Sequence, residues 1–572
     1  MKAISSLLEQ INSPDDLRQL PINQLPDVAE ACRQYLIDTL DHCGGHFAAS
    51  LGAIELTIAL HYCLNTPTDT IVWDVGHQAY IHKILTGRKH RLHTIKQQHG
   101  LAPFLSPQES RFDSTYTGHA CTAISTALGI ALAKTLAKDC SHTVAIMGDG
   151  GLTGGMAFEA LNHAATTQVD LTIVINDNDM SISENVGQLS GQPLADFFMA
   201  LGLPYKGPIN GHDLNACLET LKANFDQPGP RVIHFKTRKG QGYPPAEQNP
   251  IQYHHVAANF RQKVVPTPCI YANIFGQWLC DAARQYPNLV AITPAMREGS
   301  DLVQFQQQFP KRYIDTGIAE QHALALASGL AIQGQKPVVA IYSTFLQRGY
   351  DQLIHDIALA NANVLIAIDR AGLVGSDGAT HQGIFDISYL RSIPNVSLLA
   401  PANANDLYHM LSLGLLHAGP VCIRYPKAPT TDPIGKNHID WGTAKVMRQG
   451  EKIALLNFGP LLDAALTIAE PLNATVVDMR FIKPLDQACL DNISKTHNVI
   501  ITLEDHVIAG GAGSAISEYF TTIHYKGTVH HLGIPDQFID HATREQQLEQ
   551  CGLTAKQLLN NVYSLLHSMK KT

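Results

Sequence analysis

Gly148-Asp149-Gly150 closes the apolar run 143–147, and Asn176-Asp177-Asn178 closes a second, 171–175, after one intervening helical stretch. Read as parallel strands of one βαβ unit, the two runs place Asp149 and Asn178 at carboxyl ends, where open α/β sheets bind ligands. An acid and an amide so placed can share a hard cation such as Mg²⁺, which takes oxygen ligands and often completes its shell with phosphate. The neighbouring glycines, Gly148, Gly150 and Gly151, let the backbone come close to a diphosphate. Alone, Gly-Asp-Gly reads more simply as a strand-to-helix turn; the pair on two strands points to a metal-diphosphate site.

Other side chains have chemistry to offer. Glu320 lies in the first turn of an apolar helical stretch that runs on to Ala331, where a favourable helix-terminus charge is the simpler reading. Beside a diphosphate motif elsewhere in the chain, it is the acid that a split cofactor site needs. His46 follows two glycines, His77 follows the strand-like run 70–73, and His381 sits in the glycine-rich loop 372–383. Among 28 histidines any single one is ordinary, but glycine-flanked histidines at strand ends lie where binding groups gather. Their imidazoles exchange protons near neutral pH. Arg348, Arg370 and Arg424 each stand just past an apolar run. A guanidinium fork matches phosphate, and although each could equally be a surface ion pair, the three together point to a phosphorylated substrate.

The elements that must position these residues are read from hydrophobic patterning. Alternating apolar strands and helical stretches predict an α/β protein of three doubly wound, mostly parallel-sheet domains, at 1–265, 270–433 and 436–572. Runs at 338–342 and 364–368 belong to the second, and runs at 453–457, 475–478 and 499–502 to the third. The stretch 243–255, with three prolines and no helical period, reads as a crossing linker. Gly510-Gly-Ala-Gly513 suits a phosphate-binding helix start or a tight packing turn, and is assigned no chemistry. The 572 residues carry 41 basic and 50 acidic side chains, a net charge of −9 that favours neither nucleic acid nor an anionic membrane. Eleven scattered cysteines without a C-x-x-C pair point to reduced thiols and against structural zinc. With no signal-peptide pattern and no bilayer-length apolar run, a cytoplasmic protein is expected.

Longer strings carry a resemblance. Trp73-Asp-Val-Gly-His-Gln-Ala-Tyr80, the stretch 176–185, Ile292-Thr-Pro-Ala-Met-Arg-Glu-Gly-Ser300, Ile341-Tyr-Ser-Thr-Phe-Leu-Gln-Arg348 and Val477-Asp-Met-Arg-Phe-Ile-Lys-Pro-Leu485 are similar to segments of the 1-deoxy-D-xylulose-5-phosphate synthase family, over nearly the whole chain. The resemblance implies the transketolase-like fold, a homodimer, and thiamine diphosphate with Mg²⁺ bound between the first two domains. Its reaction would be decarboxylative condensation of pyruvate with D-glyceraldehyde 3-phosphate, feeding isoprenoid precursor synthesis. By position it implies Asp149, Asn178 and the Met180 carbonyl as metal ligands, and Glu320 on the pyrimidine ring. His46 and His381 fall near the substrates, while His77, His254, Gly118 and His119 fall near the cofactor. Tyr342, Arg370 and Arg424 form the implied phosphate clamp, with Asp377 close by and Arg348 either in the clamp or orienting Tyr342. The chain departs from the family between Ser190 and Leu201, where a much longer segment is usual; a natural short form and an engineered deletion both fit. Residues 118–124 are also less serine-rich, and Gly240-Gln-Gly242 replaces an arginine-centred triplet. Two other readings are a different thiamine-dependent ketol transferase, which would release no CO₂, and a binding paralogue without turnover.

Overall fold

A computed structural model describes residues 6–189, 193–262, 268–430, 434–436 and 438–569. The chain divides into two compact units, one comprising Met1–Val265 with Gly317–Ala319, the other Pro266–Thr316 with Glu320–Thr572. Of the expected domain limits, 265 and 433 fall on residues outside those described.

The N-terminal unit is built on a five-stranded parallel sheet in the order Thr70–Trp73, Thr143–Gly148, Thr172–Asp177, Arg231–Lys236, Tyr205–Asn210. Thr172–Asp177 is buried along its whole length, as a central strand covered on both faces must be. Gly148 pairs with Asn176, which brings the two motif-bearing strand ends side by side. A two-stranded antiparallel pair, Gly45–His46 with His255–Val256, closes a loop of about 210 residues onto this unit.

That pairing corrects the linker reading of 243–255. Pro244 and Pro245 occupy the first turn of a short helix, Pro244–Gln248, where proline's missing N–H costs nothing. Tyr243, Tyr253 and Phe260 then pack on the fully buried Phe47. The stretch is part of the N-terminal core.

The second unit holds two sheets. One runs Phe481–Lys483, Ser397–Leu399, Val421–Arg424, Leu365–Asp369, Lys336–Tyr342, Leu289–Thr293, Tyr313–Asp315; all its pairings are parallel except the first. The other runs Lys445–Arg448, Thr475–Asp478, Lys452–Phe458, His497–Val507, Thr528–Ile534, with only its first pairing antiparallel. Phe481–Lys483 thus ties the C-terminal region to the preceding sheet. At 510–513 the helix Ala512–Thr522 begins, and the Glu504 carboxylate accepts the N–H groups of Ala512 and Gly513 at 2.7 and 2.9 Å. The chain itself fills that anion-binding position. No helix among the described residues is long and apolar enough to cross a membrane. In the short segment, Ser190, Gly191 and Gln192 lie outside the described residues, and Leu194–Ala200 is a helix that buries Leu194 and Phe198.

Candidate active site

In the N-terminal unit, Asp149 begins a short helix immediately after its strand. Its Oδ2 accepts from the Asn185 amide at 2.7 Å, while Oδ1 is buried without a partner among the described residues, as is Asn178 Oδ1. Burial, with the Asp177 charge adding to it, pushes the Asp149 carboxyl up to about 8. A cation between Asp149 and Asn178 would relieve both conditions. Asp149, Asp177 and Asp179 also form a close acidic group. Asp177, however, already receives His234 at 2.8 Å and Lys236 at 3.0 Å, and Lys236 reaches Asp179 at 2.9 Å. The donors left for a metal are therefore Asp149 and Asn178. Met180, two residues beyond Asn178, forms a bridge with Glu184. The loop is held by Lys239, which donates to the carbonyls of Ser181 and Ile182.

The glycines here serve space. A Cβ on Gly151 would overlap the Asp74 carboxylate, and one on Gly150 would press on Ser181 at 2.9 Å. At Gly148 a Cβ would meet no atom within 4 Å, so that face is open to a ligand.

Four histidines converge near this sheet. The ring of His46 lies 6.0 Å from His77, 5.9 Å from His254 and 5.5 Å from His255. Its Nδ1 faces the Tyr80 hydroxyl at 3.3 Å, and Phe104 packs at 5.4 Å. Burial, with Lys96 and the neighbouring imidazoles, holds His46 and His254 well below the usual imidazole range. Burial and Lys239 bring His77 down to about 3. Neutral rings result, and Nδ1 of both His77 and His254 is buried without a partner among the described residues. Gly118 is buried and His119 half-buried.

In the second unit, Glu320 is the first residue of the helix Glu320–Ile332 and is 3% exposed. Its Oε2 is buried without a hydrogen bond among the described residues, and Arg348 Nη1 stands 4.0 Å away. Burial raises the carboxyl's pKa, partly offset by Arg348. Arg370 follows its strand with φ of 57°, a left-handed conformation that is strained for arginine. It lies over the Tyr342 ring at 3.9 Å and within 3.7 Å of Asp377. Lys427 donates to Asp377 at 3.0 Å. His381 Nδ1 meets Thr380 Oγ1 at 2.9 Å, with its ring edge-on to Phe345. Arg424 is buried; Nε donates to Asp386 at 2.8 Å, and Nη2 to the carbonyls of Gly383 and Asp505 at 3.3 Å. Its Nη1 lies 4.0 Å from where a Cβ on Gly459 would stand.

Residues 8–196 and 191–237 match the family described as 1-deoxy-D-xylulose-5-phosphate synthase, 269–431 the transketolase pyrimidine-binding domain, and 442–558 the transketolase C-terminal domain. A 1-deoxy-D-xylulose-5-phosphate synthase of Francisella tularensis subsp. novicida (strain U112) is 48% identical over 617 residues, covering 98% of this chain and 99% of that protein. The chain belongs to the 1-deoxy-D-xylulose-5-phosphate synthase family. Its counterpart in Francisella tularensis subsp. tularensis (strain WY96-3418) is also 48% identical, over 611 residues, with the same coverage. A transketolase from Campylobacter jejuni subsp. jejuni NCTC 11168 is 18% identical, with a TM-score of 0.46, covering 95% of this chain and all of that one. An alignment of 617 positions exceeds the 572 residues present, so the synthase relative carries residues that this chain lacks. The N-terminal family match also falls in two pieces that meet at 191–196, within the short segment.

Membership in this synthase family brings thiamine diphosphate with it, and within the N-terminal unit the residues fit that group: Asp149, Asn178, His77 and His254 each keep a buried polar atom without a partner among the described residues. Sequence reasoning missed Asn185, Lys239, His255 and Lys427. A basic residue just past a strand was the available signal for Lys239 and Lys427; His255 was marked only by adjacency to His254.

Proposed function

We propose that the chain condenses pyruvate with D-glyceraldehyde 3-phosphate, releasing CO₂ and forming 1-deoxy-D-xylulose 5-phosphate, and that Mg²⁺ anchors its thiamine diphosphate. The observation that carries this reading is the set of buried polar atoms left without partners among the described residues at the two motifs. Thiamine diphosphate supplies a carbon able to stabilise the negative charge that decarboxylation leaves. The rest is binding, orientation and proton handling.

Asp149, Asn178 and the Met180 carbonyl hold the metal, and the open face at Gly148 receives the diphosphate, with Gly150, Gly151, Gly118 and His119 around it. Glu320 hydrogen-bonds the pyrimidine nitrogen; burial favours its protonated form, the one that can donate. His77 and His254 orient the aminopyrimidine through their ring nitrogens. His46 and His381 hold or deliver a proton at the developing alkoxide oxygen. Arg370, braced on Tyr342 and Asp377, offers a fork to the acceptor's phosphate, and Arg424 contributes Nη1. Arg348 acts on Glu320, the partner it stands beside.

The same reading divides the chain into domains at 1–265, 270–433 and 436–572 and places it in the cytoplasm as a homodimer. Support for the dimer comes from two helices. Ala123–Ala137 turns Gly129, Ala133 and Leu136 outward, and Glu320–Ile332 turns Ala325, Gly329 and Ile332 outward, apolar stripes suited to a second copy.

Release of CO₂ from carboxyl-labelled pyruvate, with and without D-glyceraldehyde 3-phosphate, tests the activity. The expected result is release that depends on Mg²⁺ and thiamine diphosphate and matches product one for one. Turnover of sugar-phosphate donors without CO₂, or no release under any condition, sinks the reading.

A further inference from the structure

The C-terminal region supplies none of the residues assigned above, yet it holds the loop that carries Asp377 and His381. That loop is pinched at its base, where Gly372 and Gly383 exchange N–H···O bonds of 2.6 and 2.9 Å. Beyond the pinch its backbone is paired by side chains. Leu373 N–H donates to Asp505 Oδ1 at 3.2 Å, and Arg544 Nε donates to the Leu373 carbonyl at 3.2 Å. Two residues on, Gly375 N–H donates to Gln547 Oε1 and the Gln547 Nε2 amide donates back to the Gly375 carbonyl, both at 2.9 Å. Residues 373 and 375 thus receive from three side chains what a neighbouring strand would give alternate residues.

Gln547 is the centre of this arrangement. It is fully buried, and Nε2 also donates to the Asp540 carbonyl at 2.8 Å. Arg544 is tied to Asp505 at 2.8 Å, so the pairing groups are themselves fixed. The loop's glycines answer to the same wall. Gly372 has φ of 76° and a Cβ there would overlap the Asp505 carboxylate, while a Cβ on Gly378, at φ of 75°, would stand 3.2 Å from His541.

We propose that Gln547 is a positioning residue for the acceptor half of the reaction: its amide sets the path of the loop 372–383, and with it where Asp377 and His381 stand. This rests on the reading that those two residues serve the phosphorylated aldehyde. A single amide bonded to both the N–H and the carbonyl of one buried residue fixes that residue's position and rotation together. Loss of the pair frees Gly375, a glycine with φ of 84°, to turn.

The test is steady-state kinetics with each substrate varied, on the full-length enzyme with Mg²⁺ and thiamine diphosphate, for Gln547→Leu, Gln547→Glu and Asp377→Asn. For Gln547→Leu the expected result is a KM for the aldehyde raised about tenfold or more with the KM for pyruvate within about twofold, since small misplacements cost binding only where the group acts. Gln547→Glu keeps the acceptor and regains the donor when protonated, so its aldehyde KM should recover as pH is lowered toward about 6, in the variant alone. It carries the test if the leucine variant fails to fold. An aldehyde KM within about twofold of wild type, or both substrates' KM rising together, overturns the proposal. Asp377→Asn separates the two readings. A defect there with normal Gln547 variants removes the positioning role, whereas a defect only in the Gln547 variants upholds it and removes Asp377 from the clamp.

Discussion

A buried carboxyl group costs stability when it ionises, and Glu320, at the start of its helix, is buried with Oε2 lacking a hydrogen bond among the described residues. Its folded pKa lies above the ordinary 4.5, so ionisation at neutral pH works against the fold. Glu320→Ala should therefore leave thermal stability unchanged or higher while CO₂ release falls by about 100-fold or more. Near-normal turnover in that variant refutes its role on the cofactor. The positions of Asp149 and Asn178 could be read from sequence because each directly follows a buried parallel strand, where the fold leaves little choice of direction. Asp386 could not: its partner Arg424 is 38 residues away, and nothing in Phe385-Asp386-Ile387 marks an acid as the brace of a distant guanidinium. Lys427 on Asp377, across 50 residues, was hidden for the same reason.

At the scale of elements, the long apolar runs gave themselves away because strands covered on both faces must be apolar throughout. Stretch 243–255 was misread, because its order comes from aromatic packing and a pairing with Gly45–His46 that no local pattern encodes. The irregular chain between Tyr80 and Asp113 is likewise held by a polar network. His82 bridges His61 Nε2 at 2.9 Å and Asp113 Oδ1 at 3.0 Å, and Arg88 reaches Asp113 with both terminal nitrogens. Burial raises the Asp113 pKa, but the His82 and Arg88 hydrogen bonds outweigh it and hold the carboxyl below the ordinary 3.8. The stabilisation is thus fully present above about pH 4 and is lost as pH falls through the folded value. Asp113→Asn leaves the buried Arg88 charge with Glu109 as its acidic partner, a loss of about 1–3 kcal/mol. Denaturant unfolding at neutral pH measures the loss. The variant should also show a shallower fall in stability below about pH 4 than wild type. Equal acid limbs would remove Asp113 from the account.

For the whole molecule, the decisive question is what covers its outward helix stripes. A glycine inside a helix costs about 1 kcal/mol relative to alanine, so one that faces outward needs a reason beyond the folded chain. Gly129 and Gly329 both sit mid-helix with no atom within 4 Å of where a Cβ would be, flanked by exposed Leu136 on one helix and exposed Ile332 on the other. In the proposed homodimer, close approach of a second copy would supply the reason, since glycine lets another helix backbone come near. In an isolated chain, Gly329→Glu would meet no clash and would raise helix propensity. In a dimer, it would drive a charged side chain into an apolar contact and leave it unpaired, which is strongly destabilising. The expected outcome is a particle that sediments at the single-chain mass instead of twice that mass, folded by circular dichroism and depleted of CO₂ release. A Gly329→Glu protein that still sediments at twice the chain mass with full activity would show that this stripe faces solvent, and the dimer would have to be built elsewhere.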